Sequence, residues 1–188
     1  ASVASPGEAY LLRRKLEERF SFPAVQLEHV QKSSDGTIKS RFELYDGNLV
    51  EGVLIPTDKR QTACISSQAR CSLNCKFCAT GYMEKKRNLD FDEIFDEACL
   101  INNQSLETSG KKLTNIVYMG MGEPLLNYQN VLKSIERITA PDGLAMSPRR
   151  ITVSTAGSAK RSRKRGDDKV RFNLALSLHA PNDAKRSQ

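Results

Sequence analysis

No apolar run in the 188 residues approaches the length of a membrane span, and the first residues carry no secretory hydrophobic region. Both absences speak against a membrane-embedded or secreted chain. Cysteine is scarce and unevenly spread: there are five, three of them fall within eight residues, and none follows Cys99. That distribution does not suit a disulfide scaffold and reads as a reduced, cytoplasmic protein. C-x2-C occurs as Cys75–Cys78 with no second pair downstream, so the usual two-pair zinc layout is missing. Acidic residues are outnumbered, 22 against 29 basic, for a net charge of +7. The excess favours an anionic partner such as nucleic acid, although Lys160–Arg165 (KRSRKR) alone holds five of the positive charges. At 39% hydrophobic the chain can bury a core. It opens on Ala1 rather than Met and closes on Gln188 in a polar run, so both ends are expected to be cut.

In chain order, Leu11, Leu12, Leu16 and Phe20 share one helical face that Pro23 ends, which makes 1–24 the tail of an accessory helical region. Residues 25–60 alternate in strand fashion around two Asp-Gly turns, Asp35-Gly36 and Asp46-Gly47, and predict an antiparallel β-meander of three strands. Lys39 and Arg41 fall on its exposed face, where solvation is the simpler reading and contact with RNA the other. Glu51 interrupts the apolar run LVEGVLI as an outward-facing residue. From 61 to 188 the order is a short strand (62–66), a cysteine loop to about Arg87, a helix (90–104), a strand (114–119), a helix (128–139) and strands at 151–154 and 172–178. This is the rhythm of parallel β/α units. Ligands of such sheets lie at the carboxyl ends of the strands. Four polar or glycine-rich segments follow the four strands: the cysteine loop, Gly120–Pro124, Ser154–Gly157 and Ser177-Leu178-His179. Cys99 lies in the first helix and reads as a small buried apolar residue.

Cys71, Cys75 and Cys78 follow C-x3-C-x2-C. Neither a helix nor a strand aims such positions at one centre, so a loop must carry them. Three soft thiolates suit an iron–sulfur cluster or zinc. A cubane cluster usually takes four cysteines, and three would leave one iron open for a reacting ligand. The alternative is a zinc knuckle completed by Cys64 or His179. In the turn after the second strand, glycines admit a ligand close to the backbone, and Glu123 offers a carboxylate to an ammonium.

The segments CISSQARCSLNCKFCAT, MGMGEPLLN, RRITVSTAG and LALSLHAPND, in that order, resemble the RlmN/Cfr family of radical-SAM RNA adenosine methyltransferases over about residues 40–188. The resemblance implies an α/β fold, a partial radical-SAM (β/α) barrel. It implies a 4Fe–4S cluster on Cys71, Cys75 and Cys78, with S-adenosylmethionine held by Gly122, Glu123, Ser154, Ser177, Leu178 and His179. It further implies Glu51 as proton acceptor and Cys64 as the cysteine that resolves a protein–RNA thioether through a disulfide. The implied reaction methylates carbon 2 of adenosine in 23S rRNA and tRNA (carbon 8 in Cfr-like members) and consumes two S-adenosylmethionine molecules. Flavodoxin or ferredoxin is the implied electron donor, and the protein acts as a monomer.

Three departures from the family pattern set further expectations. The family continues through two more β/α units and a methyl-accepting cysteine, so the chain as given is expected to be incomplete for turnover. Arg70 replaces a glycine; if that position has positive φ, arginine is strained there and impairs cluster assembly. Residues 157–168 hold almost no apolar side chain where the family has an amphipathic helix. The competing readings are a different radical-SAM enzyme and a non-enzymatic RNA- or metal-binding fragment.

Overall fold

Alternation shapes the first third of the chain. In a computed structural model of the protein, which describes residues 14–15, 24–73, 75–82, 87–157, 171–178, 180 and 182–186, Val25–Lys32 (β1), Ile38–Leu44 (β2) and Leu49–Pro56 (β3) form an antiparallel meander. Its turns contain Gly36 (φ 84°) and Gly47 (φ 74°) beside Asp35 and Asp46, whose carboxylates accept from the main-chain N–H groups of Thr37 and Asn48. Along β2, Ile38, Ser40, Phe42 and Leu44 are buried and the residues between them are not. The expected N-terminal helix lies outside the described residues except at Arg14, Lys15 and Ala24, as does the basic segment after Gly157.

The meander merges with the parallel strands in one sheet. β3 pairs antiparallel with Gln61–Cys64 (β4), and β4 pairs parallel with Asn115–Tyr118 (β7), β7 with Ile151–Thr155 (β8) and β8 with Asn173–Leu176 (β9). The order is β1-β2-β3-β4-β7-β8-β9. A separate two-stranded pairing joins Gln68–Ala69 (β5) to Arg87–Asn88 (β6), so the expected open loop is closed at its neck.

The helices Phe91–Ser109 (α1) and Tyr128–Thr139 (α2) cover one face of this sheet. Ile94, Ala98 and Ile101 of α1 join Phe42, Val50 and Leu54 in the core, and Val131, Ile135 and Ile138 of α2 join Ile116, Ile151 and Val153. At Gly52, β3 is so close to α1 that a Cβ would stand 2.7 Å from Glu97 Oε1 and 2.8 Å from Ile101 Cδ1. The Glu93 carboxylate caps α1 by accepting from Asp90 N at 2.8 Å. The helix runs five residues beyond the expected end and stops at Gly110, whose φ of 68° suits glycine. Among the described residues no helix is long and apolar enough to cross a membrane.

Candidate active site

Strand alternation puts three of the expected site residues on the sheet face that the helices leave open. On β3, Val50, Gly52 and Leu54 point to the core, and Glu51 and Val53 point away. Val53 is opposite Cys64, Cys64 is opposite Val117, and Val117 is opposite Thr152, two residues before Ser154 on β8. Glu51, Cys64 and Ser154 therefore share a face. Ser177 joins them: its Oγ is 2.8 Å from Ser154 Oγ, and its N–H donates to Thr155 O. Leu178 is exposed, and His179 lies outside the described residues.

The carboxyl ends of the strands are knotted by buried polar groups. Ser66 is the first knot. Its N–H donates to the Glu97 carboxyl, its Oγ donates to Glu51 O at 2.7 Å, and the same Oγ accepts from Met121 N at 2.9 Å. The main-chain N–H groups of Ser67 and Gln68 both donate to Met121 O. Gln68 Oε1 accepts from Glu123 N, while its Nε2 donates to Asn88 Oδ1. Asn127 Nδ2 donates to the carbonyls of Ser67 and Leu89. Cysteine segment, β6 and the turn after β7 are thereby fixed to one another.

Gly122 and Glu123 occupy the middle of that turn. Gly122 has φ 100°, and a Cβ on it would lie 2.6 Å from the side chain of Gln68. Glu123 is 6% exposed and spans two strands, Oε1 accepting from Leu125 N and Oε2 from Ala156 N at 2.8 Å. A carboxylate offers about four acceptor directions, more than the two that these described residues occupy, and it suits an ammonium.

The three clustered cysteines sit in the expected loop, half-buried and free of disulfides, as are Cys64 and Cys99. Cys71 Sγ accepts from Leu73 N at 3.4 Å. Burial pushes its thiol pKa up, and negative charge on Cys75, Cys78 and Glu123 would add to this. Among the described residues no three His, Cys, Asp or Glu side chains are grouped to hold a single metal ion. The cysteines of a polynuclear cluster bind separate irons, and three free thiols on one loop are the donor set such a cluster takes. Arg70, directly before Cys71, has φ 73°, the backbone conformation that the comparison with glycine anticipated.

Burial also pushes the Cys64 thiol up to about 11, with a further contribution from Glu97 once that carboxyl ionises. Glu97 is fully buried, with no cation beside it among the described residues, and burial lifts its pKa well above the usual carboxylate range. Glu51 is partly exposed and ion-paired with Lys39. Past the cysteine loop, Arg87 meets both oxygens of Glu93 at 2.7 Å and Asp46 at 2.6 Å, and holds the Asp46 carboxyl well below its ordinary range. Sequence reasoning missed Ser66, Gln68, Asn127, Glu97 and Lys39 as parts of this site. Ser66 and Gln68 fall within the segment CISSQARCSLNCKFCAT and Asn127 closes MGMGEPLLN, so these three carried a local signal, whereas Glu97 and Lys39 carried none.

The part of the site that follows Cys64 lies within the region matched by a known family. The Radical SAM superfamily model matches residues 65–186. A protein of Cytophaga hutchinsonii named as a probable dual-specificity RNA methyltransferase RlmN is 60% identical over 175 residues, 93% of this chain and 48% of its own length. One of the same name from Flavobacterium psychrophilum is 51% identical over 168 residues, 89% of this chain and 48% of its own. The crystal structure of a radical SAM methyltransferase from Sphaerobacter thermophilus superposes with a TM-score of 0.89 at 38% identity, covering 94% of this chain and 52% of that one. The chain thus spans about half the length of the curated relatives it matches. With the family model covering well over half of the chain, the protein belongs to the radical SAM superfamily.

Proposed function

We propose that this chain forms the cluster- and cofactor-binding part of a radical SAM RNA methyltransferase of the RlmN type, which methylates carbon 2 of adenosine in 23S rRNA and tRNA with the help of a methyl-accepting cysteine that the 188 residues do not contain. The observation that carries the reading is the gathering of the cysteine segment, the Glu123 turn, Ser154 and Ser177 at one end of the parallel strands, with Glu51 and Cys64 on the open face beside them. The names of the relatives in Cytophaga hutchinsonii and Flavobacterium psychrophilum support the substrate class.

In this reading Cys71, Cys75 and Cys78 hold a 4Fe–4S cluster, and the chain's remaining site residues hold S-adenosylmethionine. Bound together, the two groups supply one-electron chemistry and the methyl group. Glu123 would take the ammonium of the cofactor. Gly122 lets the main chain come close, and Ser154, Ser177, Leu178 and His179 line the rest of the pocket. Glu51 accepts the proton leaving the adenine ring. Cys64, kept as a thiol at neutral pH by burial, would resolve the RNA-bound thioether once deprotonated: its sulfur bonds to that of the family's methyl-accepting cysteine as the sulfur–carbon bond to the RNA breaks, the bonding pair passing to the RNA carbon. Flavodoxin or ferredoxin delivers the electrons, and the protein works in the cytoplasm as a monomer. Residues 25–60 form a meander between an accessory region (1–24) and the core (61–188).

Anaerobic iron–sulfur reconstitution followed by EPR tests the reading, joined to nucleoside analysis of RNA incubated with the reduced full-length protein that carries the methyl-accepting cysteine. A reduced-cluster signal that shifts on adding S-adenosylmethionine, with 2-methyladenosine in the RNA, is expected. Zinc without iron, or a cluster signal indifferent to the cofactor, would count against it. 8-Methyladenosine would reassign the protein to the Cfr type.

A further inference from the structure

Lys39 Nζ lies 2.8 Å from Glu51 Oε1, with the two side chains 49% and 44% exposed. The strand register makes this pairing a selection. Directly opposite Glu51 on β2 stands Arg41; Lys39 stands opposite Val53. Arg41 is the nearer cation by register, yet its guanidinium turns to Glu28 on β1 and grips both carboxylate oxygens. Glu51 is left with the diagonal cation. That diagonal has a direction. Val53 pairs with Cys64 on β4, so Lys39, Val53 and Cys64 lie in one row across the sheet. The ammonium draws the Glu51 carboxylate along the strand toward the row of Cys64 and away from Arg41.

An exposed ion pair contributes little to stability. Its value here is orientation. A proton acceptor must meet its proton within hydrogen-bond reach, and displacement of about 1 Å can cost a hundredfold in rate.

We propose that Lys39 is a positioning residue for Glu51, holding its carboxylate in the row of Cys64, where the adenine ring must be deprotonated. The inference rests on the proposed role of Glu51 as proton acceptor. In that step the proton on ring carbon 2 passes to a Glu51 oxygen and the bonding pair stays with the ring. Lys39 neither gives nor takes a proton. The other charged or titratable groups facing Glu51 on these strands are Arg41, already held by Glu28, and the Cys64 thiol.

The test compares Lys39→Met, Lys39→Arg and Glu51→Gln with the parent, all made in a full-length protein that carries the methyl-accepting cysteine, using RNA that carries hydrogen or deuterium at carbon 2 of the target adenosine. Lys39→Met is expected to lower kcat about tenfold to a hundredfold with the KM for RNA unchanged. It should enlarge the deuterium isotope effect, leave S-adenosylmethionine cleavage intact, and keep the parent's unfolding midpoint. Lys39→Arg should recover most of the rate. If Lys39→Met changes only the KM for RNA, Lys39 binds the RNA backbone and the positioning role is overturned. An unchanged rate and isotope effect overturn it equally. Glu51→Gln separates the two levels. Loss of methylation in Glu51→Gln beside an unimpaired Lys39→Met sinks the positioning role alone, and full activity in Glu51→Gln sinks the proton-acceptor role and the inference with it.

Discussion

Two neighbouring stretches at the same end of the sheet are built differently. Ile65 to Ala69 are all buried, and their N–H and C=O groups reach across to Val117, Gly120, Met121 and Leu89. Arg70 to Tyr82 begins one residue later and is organised by short-range turns. In it Cys75 N donates to Leu73 O, Cys78 N to Cys75 O and Gly81 N to Cys78 O, while Phe77 and Tyr82 are well exposed. The frame is fixed by long-range pairing, and the thiols hang on a strap that begins where the pairing ends. Such a strap takes its final shape from what it binds, whereas the frame has to be correct beforehand.

The sharpest way to break this contrast is to remove thiols. Cys75→Ala with Cys78→Ala should abolish iron uptake on reconstitution and change unfolding free energy by no more than about 0.5 kcal/mol, as for a surface change. An iron-free variant that also unfolds easily would make the strap part of the frame. The reverse experiment strikes the frame. Gly122→Ala places a Cβ 2.6 Å from Gln68 at φ 100°, and strain plus overpacking should cost about 3 kcal/mol. Iron uptake should fall with all three thiols intact. Denaturant unfolding and iron content, measured on the same samples, decide both cases.

The strap was legible in the sequence and most of the frame was not, for a physical reason. Metal-ligand spacing is local: Cys71, Cys75 and Cys78 announce a loop within eight residues. Strand alternation and helical periodicity are local too, and they located the meander and placed the second helix at 128–139, where it is found. The frame is made of single polar contacts with no period. Asn127 reaches Ser67 from 60 residues away, and Ser66 touches Glu51, Glu97 and Met121 on three different elements. Nothing in the run QAR foretells that Gln68 and Ala69 pair with Asn88 and Arg87. Lys39 and Arg41 read as solvated cations, and only the register across three strands distinguishes their partners. Arg70 is the exception: a left-handed position at the junction of frame and strap was anticipated from a glycine that this chain lacks.

Glu97 sharpens the contrast with a smaller effect, because the frame here depends on a proton. The carboxyl is fully buried, and although it accepts from Ser66 N, burial keeps its folded pKa well above the 4.5 of the free group. Below that value both folded and unfolded chains hold the proton, and no stability is lost. Above it the unfolded chain ionises first, and stability falls by up to about 1.4 kcal/mol per pH unit until the folded pKa is reached. Glu97→Gln copies the neutral form without the titration. The variant's advantage in urea unfolding should therefore be small at pH 5 and grow toward pH 8. An advantage that stays constant with pH would mean that Glu97 is ionised in the folded protein.

Arg70→Gly addresses the junction of frame and strap, and its effect on stability is the smallest. At φ 73° arginine is held in a conformation that costs on the order of 1 kcal/mol. Glycine relieves that cost but adds freedom to the unfolded chain, worth about 0.4 to 1 kcal/mol in the other direction. The two nearly cancel, so the unfolding free energy should rise by well under about 1 kcal/mol. The strap should respond more than the frame does. Cys71 follows directly, its Sγ already engaged by Leu73 N, and a relaxed residue 70 lets the first thiol swing to meet a cluster at no cost to the buried pairing behind it. Faster iron uptake during reconstitution, at nearly unchanged stability, is the expected outcome. Equal uptake by parent and variant would mean that the strain at Arg70 is borne by the frame alone and that the strap begins only at Cys71.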